Sequence, residues 1–410
     1  MFVLENEGAA LPIKVWLKDE SQLEPGCLEQ AYNLSQLPFL HQCVNLMPDT
    51  HKGMGMPIGG VIAAVDTIIP NAVGVDIGCG MAFVGTNLPV AGLKEIQTGS
   101  GNLIQALVGD ILRNVPVGFQ HHKGAQPCYT LDVARQEMEK YENHPQLVGQ
   151  IEAGYFQVGT LGGGNHFIEL QEDEVGMLGI MIHSGSRNFG KQVCDYFHQM
   201  ARDLNEKWGS AIPDYWRLAY LPTDIQEGRD YINWMQLALN FAFENRSKMM
   251  LMVKAVLEKW IGKHTQHAIE YTQEINCHHN YAALETHYGK EVWVHRKGAT
   301  RAQKGELAVI PGAMGSYSYV VEGLGNAESF HTSSHGAGRR YSRTAAMKEF
   351  TVEEVMVDLE KTGVVLGKRS KKDVPEESRF AYKDIDEVMD NQKELVLPIK
   401  KLRTVGVVKG

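Results

Sequence analysis

Three glycines in seven positions, Gly74-Val75-Asp76-Ile77-Gly78-Cys79-Gly80, close the apolar run Gly60–Val75. They let the backbone turn tightly enough to aim a carboxylate and a thiol one way. A hard oxygen and a soft sulfur three residues apart suit one metal ion or divide between two. A thiolate has lone pairs enough to bridge a pair of divalent ions, whereas the carboxylate completes only one shell. The plainer alternative is a strand-to-loop turn with a buried cysteine. Histidines that recur later in glycine-rich settings favour the metal.

No Pro/Ser-rich linker or low-complexity tract divides the 410 residues, so the sequence predicts one large, interwoven domain over residues 1–410. With 43% hydrophobic and 22% charged residues the chain has globular composition. The start, Met1-Phe2-Val3-Leu4-Glu5, lacks the order of a signal peptide, and no uncharged run reaches the roughly 20 residues of a membrane span. A cytoplasmic protein, with no membrane partner, is expected. Six cysteines without a CxxC pair point to reduced thiols. A net charge of −9 argues against nonspecific coating of nucleic acid. Local basic stretches at Gly338–Arg343, Lys368–Lys372 and Lys400–Arg403 leave room for a phosphate-rich site.

Taken in order, the chain predicts a strand around Ile13–Trp16 and a helix near Leu28–Leu34. The loop Met47–Gly55 then places Asp49, His51 and Lys52 within four positions, as an orienting or phosphate-binding wall or simply as a surface turn. Residues 90–152 read as mostly helical scaffold, with His121-His122-Lys123 in a solvated loop. In Val158–Leu170 a glycine run permits close approach of a ligand. His166 and Ile168 fall on one strand face, Asn165, Phe167 and Glu169 on the other. An imidazole suits a divalent transition metal, and an Asn with a Glu can read donor and acceptor edges of a base. A buried strand, Met177–Ile182, ends in His183, with Arg187 four residues on as a phosphate clamp.

Residues 230–263 form a long helix whose Met/aromatic stripe, Trp234, Leu237, Phe241, Met250, Val253, Leu257 and Trp260, is core. Asn276-Cys277-His278-His279-Asn280 offers two histidines, of which only some can point inward. A strand at Glu291–Arg296 leads to Ile310–Ser318, whose amides can ring a phosphate or base. In His335-Gly336-Ala337-Gly338-Arg339 a nucleophilic imidazole stands beside bare amides and a guanidinium, which suits covalent attack on phosphorus. The plainer alternative there is a capped helix N-terminus. After Ala381–Asp386 come a helix, an apolar strand and Val408-Lys409-Gly410.

In order over nearly the whole chain, Met47–Gly53, Gly74–Gly80, Gly164–Glu169, His183–Arg187, His278–Asn280, Pro311–Gly315, His335–Arg339, Tyr382–Asp386 and Val408–Gly410 closely resemble the RtcB family of RNA-splicing ligases. The resemblance implies an α+β fold, packed β-sheets flanked by helices, with a dimetal and nucleotide site in a central cleft. It also implies GTP- and manganese-dependent joining of an RNA 3′-phosphate or 2′,3′-cyclic phosphate end to a 5′-hydroxyl end, in tRNA splicing or RNA repair. By that likeness His335 is the catalytic residue. It becomes guanylylated and passes GMP to the RNA 3′-phosphate, forming RNA-(3′)pp(5′)G, before the 5′-hydroxyl displaces it. Two Mn2+ fall on Asp76, Cys79, His166, His183 and His279, with Cys79 as the bridge. The guanosine contacts map to Asn165, His166, Phe167, Ile168 and Glu169, to His279 and Asn280, and to Pro311, Gly312, Ala313, Met314 and Ser318. They continue through His335, Gly336, Ala337 and Gly338 to Tyr382 and Lys409. A monomer is the default.

Two positions depart from the family pattern. Ala313 stands where the family commonly has Ser, removing a hydroxyl worth on the order of 1 kcal/mol at the nucleotide. Asn188 replaces a common Gly after His183–Arg187. Competing readings are a dimetal phosphoesterase or ribonuclease using the same ligands to activate water, and a metal-dependent RNA-binding protein without catalysis.

Overall fold

Two β-sheets carry most of the glycine-punctuated motifs at their strand ends. The computed structural model describes residues 1–4, 8–265 and 267–410. In the first sheet six strands run in the order Phe2–Leu4, Ile13–Val15, Leu40–His51, Ile58–Ala64, Lys290–Lys297 and Asn280–His287. Ile13–Val15 and Leu40–His51 pair in parallel, and helix Pro25–Ser35 supplies the crossover that such a pair needs. The other pairs are antiparallel.

The second sheet runs Tyr271–His278, Gly80–Pro89, Met177–Ser184, Phe167–Asp173, Val396–Lys409, Tyr317–Gly323 and Leu307–Ile310, all antiparallel. Val365–Gly367 pairs in parallel with Val396–Lys409 beside this path. The two edges approach each other, with the Cys277 thiol on the Val309 backbone, so the sheet curls almost into a barrel. Leu178–Ser184 is buried throughout, which is why the stretch Met177–Ile182 reads as an apolar run before His183.

Helices flank this sheet. The longest, Gln226–His264, changes partners along its length. Trp234, Leu237 and Phe241 pack with helices Tyr129–Gln136 and Arg187–Trp208, whereas Met249, Val253 and Leu257 pack with helix Leu103–Asn114 and the second sheet. The expected stripe is therefore core, with Trp260 at its end donating from Nε1 to Asp110 Oδ2 at 2.9 Å. Phe241 is wholly buried against Phe189 at 5.6 Å between ring centroids. Phe241→Ala is expected to cost about 3–5 kcal/mol, read as a lower urea midpoint at unchanged slope. Among the described residues no helix is long and apolar enough to cross a membrane.

Two of the plainer local alternatives do not hold. The run Gly60–Val75 is not one strand: after Ile58–Ala64 the chain turns through Asp66, in the left-handed region at φ 46°, and Pro70 opens a single helical turn, Pro70–Val73. The Asp76/Cys79 turn thus precedes strand Gly80–Pro89 rather than ending one. His335 does not open a helix. It follows the short strand Thr332–Ser334, and the next helix begins at Arg343. Lys409 is held in strand pairing opposite Phe167.

Thr332–Ser334 pairs with Ala299–Arg301, setting Ser334 opposite Ala299, whose amide donates to the His279 carbonyl at 3.0 Å. His279 and His335 are thereby brought side by side. Phe330 and His331, both left-handed at φ 51° and 50°, lead into this strand. The wholly buried Arg296 offsets their strain by donating to the Phe330 carbonyl and Thr332 Oγ1, each at 2.9 Å, while Glu285 balances its charge.

Candidate active site

Two ligand groups share one sulfur. Cys79, His183 and His279 form one, Asp76, Cys79 and His166 the other, with the ligand atoms of each within 4.8 Å of one another. Cys79 Sγ lies 3.4 Å from His166 Nε2 and 3.3 Å from His183 Nε2, and His166 Nε2 lies 3.1 Å from Asp76 Oδ2. The backbone fixes this set. The His279 amide donates to the Cys79 carbonyl at 2.8 Å, and Asn280 Nδ2 donates to the Asp76 carbonyl at 3.1 Å. Gly80 is required because a Cβ there would stand 2.1 Å from the Cys277 carbonyl oxygen.

The chemistry of the donors fits cations. His166 Nδ1 faces the Leu161 carbonyl at 3.0 Å and His183 Nδ1 the Asn165 carbonyl at 3.1 Å, so each Nδ1 carries the proton and each Nε2 lone pair is turned inward. The Nε2 atoms of His183 and His279 stand 3.3 Å apart, and Asp76 Oδ1 is buried with no partner among the described residues. Converging lone pairs are repulsive unless a positive charge lies among them. Burial and the neighbouring imidazoles hold His183 and His279 well below the ordinary histidine range, in the neutral form that ligates metals. Burial, with Asp76 next in weight, pushes the Cys79 thiol well up, so its ionisation here calls for a bound cation.

The wholly buried Arg246 braces this centre from the long helix, donating to the carbonyls of Gly78 at 2.8 Å and Ser184 at 2.9 Å and to Asn276 Oδ1 at 2.8 Å. His278 Nδ1 lies 3.1 Å from Arg246, so of the paired histidines only His279 joins the ligand groups. Asn245, one residue earlier on the helix, accepts from the Gly159 and Thr160 amides and donates to the Gly185 carbonyl. Arg187, left-handed at φ 61°, donates to Thr160 Oγ1 and the Gly118 carbonyl, both at 3.0 Å.

His335 stands beside the metal ligands, its ring 4.7 Å from that of His279. Its Nδ1 is 2.6 Å from Asp49 Oδ2, and the same oxygen accepts the amides of His335 at 3.0 Å and Gly336 at 3.3 Å. A fully buried carboxylate at Nδ1 keeps the proton there and leaves Nε2 with a free lone pair. Gly338, at φ 71°, presses its Cα against the Asp49 backbone, where a Cβ would meet the carbonyl oxygen at 2.2 Å. Asp49, expected from sequence in a polar loop, lies instead fully buried in strand Leu40–His51, and there it is fixed to the segment that it orients.

A cavity of about 420 Å3 opens beside His183 and His335, which both line it. Of the expected guanosine contacts, Phe167 and Glu169 line it from strand Phe167–Asp173 and Asn165 from the turn before that strand. Pro311, Gly312, Ala313 and Met314 line it too, with His335, Gly336, Ala337, Gly338, Tyr382 and Lys409. Ile168 instead faces the core, with Leu170 and Val408. Ser318 lies behind the wall and accepts the Gly312 amide at 3.1 Å, and Asn280 Oδ1 accepts the Gly298 amide at 2.7 Å. His166 and His279 belong to the ligand groups rather than the cavity lining. His121 stays in an exposed loop.

The buried Glu377 was not anticipated. It accepts from Arg339 at 3.1 Å, from Tyr382 Oη at 2.9 Å and from Lys409 at 2.9 Å, and Arg339 also lies 4.8 Å from the centre of the Tyr382 ring. Against the effect of burial, Lys409 and Arg339 keep Glu377 below the usual carboxylate range. Glu169 is the contrary case: burial lifts it to about 7, despite Gln171 donating at 2.7 Å and Thr404 at 3.1 Å.

The sequence model described as tRNA-splicing ligase RtcB matches residues 30–410. RNA-splicing ligase RtcB1 of Escherichia coli (strain ATCC 25922) is 39% identical over 420 residues, covering 100% of this chain and 99% of that protein. RNA-splicing ligase RtcB of Escherichia coli (strain K12) is 38% identical over 417 residues, with 100% and 99% covered. tRNA-splicing ligase RtcB of Pyrobaculum aerophilum is 33% identical over 451 residues, with 93% and 91% covered.

Proposed function

The chain belongs to the RtcB family of RNA-splicing ligases, and on that premise we propose that it joins RNA 3′-phosphate or 2′,3′-cyclic phosphate ends to 5′-hydroxyl ends through a guanylylated His335. The observation that carries the reading is His335 held by Asp49 at the mouth of a cavity beside two cation-ligand groups. Bound divalent metal, two Mn2+ in this reading, neutralises the triphosphate as charge moves onto pyrophosphate.

This chain's residues do the rest. His335 Nε2 attacks the α-phosphorus of GTP, forming a P–N bond as the bond to pyrophosphate breaks. The Nδ1 proton stays shared with Asp49, which stabilises the positive imidazolium that forms. An oxygen of the RNA 3′-phosphate then takes the GMP, breaking the P–N bond and restoring neutral His335. Finally the 5′-hydroxyl attacks the RNA phosphorus, loses its proton, and expels GMP. A cyclic end first adds water to open to a 3′-phosphate. Phe167 and Tyr382 offer rings to the guanine, and Glu169 accepts from its N–H edge.

Asp49→Asn replaces a charge with a neutral amide. It is expected to slow GMP attachment about 10²–10⁴-fold at saturating GTP, in a single-turnover assay with labelled nucleotide. Glu169 gives a pH signature. Below its pKa of about 7 the free site binds a proton that guanine must displace. Guanosine affinity is therefore expected to rise by up to about tenfold per pH unit toward 7 and then level off. Titration calorimetry with guanosine, which carries no phosphate, checks this, and Glu169→Gln should flatten the profile. The reading is tested by incubating the protein with α-labelled GTP and manganese. Covalent label is expected in the wild type and none in His335→Ala.

A further inference from the structure

A second cavity, of about 810 Å3, adjoins the first, and Ala313, Tyr341 and Tyr382 line both. One wall is aromatic. Tyr341 and Phe350 meet edge to face at 5.4 Å between centroids, Phe350 and Phe380 lie 5.7 Å apart, and Tyr317 is 43% exposed. Cations surround these rings. Arg340 and Lys361 take part in none of the ion pairs among the described residues, Arg379 lies 5.7 Å from the Phe380 ring centre, and Arg403 and Lys383, the latter donating to the Pro48 and Thr50 carbonyls, also line the cavity.

The acids in the lining are already engaged. Asp384 caps helix Ile385–Asp390, accepting the amides of Asp386 and Glu387, and Asp386 pairs with Lys401 at 2.8 Å. Arg379 and Arg403 hold carboxylates outside the lining, Asp358 and Glu172. Phe380 is exposed and Tyr341 and Phe350 half-buried, and such rings interleaved with arginine and lysine form a surface that accepts unpaired bases by stacking and their phosphates by charge. A duplex, whose bases are already stacked, has no face to offer such rings.

Resting on the ligase reading above, we infer that this groove binds a single-stranded segment of the RNA whose 3′ end reacts at His335. Arg340 is five residues beyond His335, at most about 18 Å along the chain, and the basic stretch Gly338–Arg343 leads from the nucleophile to the groove. A strand bearing its terminal phosphate at His335 passes over Tyr341 and Arg340, and its next bases stack on Phe350 and Phe380.

The test uses the full chain and a short single-stranded RNA with a 3′-phosphate and a 5′ fluorophore, followed by anisotropy over a range of salt. Phe380→Ala is expected to weaken binding roughly tenfold, within the range of one lost stack. The double variant Arg340→Ala/Lys361→Ala is expected to flatten the slope of log affinity against log salt by about 1.4. Both should retain wild-type labelling by α-labelled GTP, which also shows that they are folded. A blunt-ended RNA duplex should not compete. Wild-type RNA affinity and salt slope in both variants, or full competition by the duplex, would overturn the groove. A wild type that binds RNA in this way but takes no label would count against guanylylation and leave the groove standing.

Discussion

Cys79→Ala is expected to strip both cation shells at once and to abolish joining. The sulfur belongs to both ligand groups, whereas Asp76 and His166 serve one and His183 and His279 the other. Losing a shared anionic ligand removes a donor and a charge from each shell, so manganese affinity should fall at least about 100-fold, or about 2.7 kcal/mol, at each site. His183→Ala should instead lower the number of tightly bound ions by one. Calorimetric titration with Mn2+ separates these outcomes without reference to activity. Because ligation must deprotonate a thiol that burial and Asp76 push up, wild-type affinity should climb with pH, and this dependence should shrink in Cys79→Ala. Equal losses in Cys79→Ala and His183→Ala would mean that the sulfur is not shared.

His335→Ala is expected to leave metal binding intact and to reduce joining by at least about 10⁴-fold, since removing the nucleophile of a covalent route removes the route. The loss should fall on activation alone. In the proposed route His335 carries the GMP only until the RNA takes it, so RNA already ending in (3′)pp(5′)G should still be sealed by the variant. Feeding both substrates to wild type and variant under single-turnover conditions measures this split. Loss of both reactions would place His335 in the sealing step as well.

How much of this was legible in the sequence depended on distance along the chain. Asp76 and Cys79 share one turn, and His183 stands at the end of an unbroken apolar strand, so short windows contain them. Asn165, Phe167 and Glu169 were aligned by strand alternation, and they do line one cavity, whereas Ile168 faces the core as the same alternation requires. Choosing between His278 and His279 took the family likeness. In the structure Arg246 takes the first, from a helix whose apolar stripe gave no hint of a buried cation. The Asp49–His335 pairing spans 286 positions and depends on two short strands, Ala299–Arg301 and Thr332–Ser334, too brief to be read from pattern. Glu377 was invisible for a similar reason: its partners Arg339, Tyr382 and Lys409 converge from three segments, and only their meeting makes a buried carboxylate tolerable.

The central claim is that GMP becomes attached to Nε2 of His335. Wild-type protein, loaded with manganese and α-labelled GTP, would be digested at alkaline pH, where a phosphoramidate survives, and its labelled peptide sequenced by mass spectrometry. The account predicts one modified residue, His335, with the adduct lost in mild acid. An adduct on a lysine, or none in folded protein with its metals bound, would contradict it.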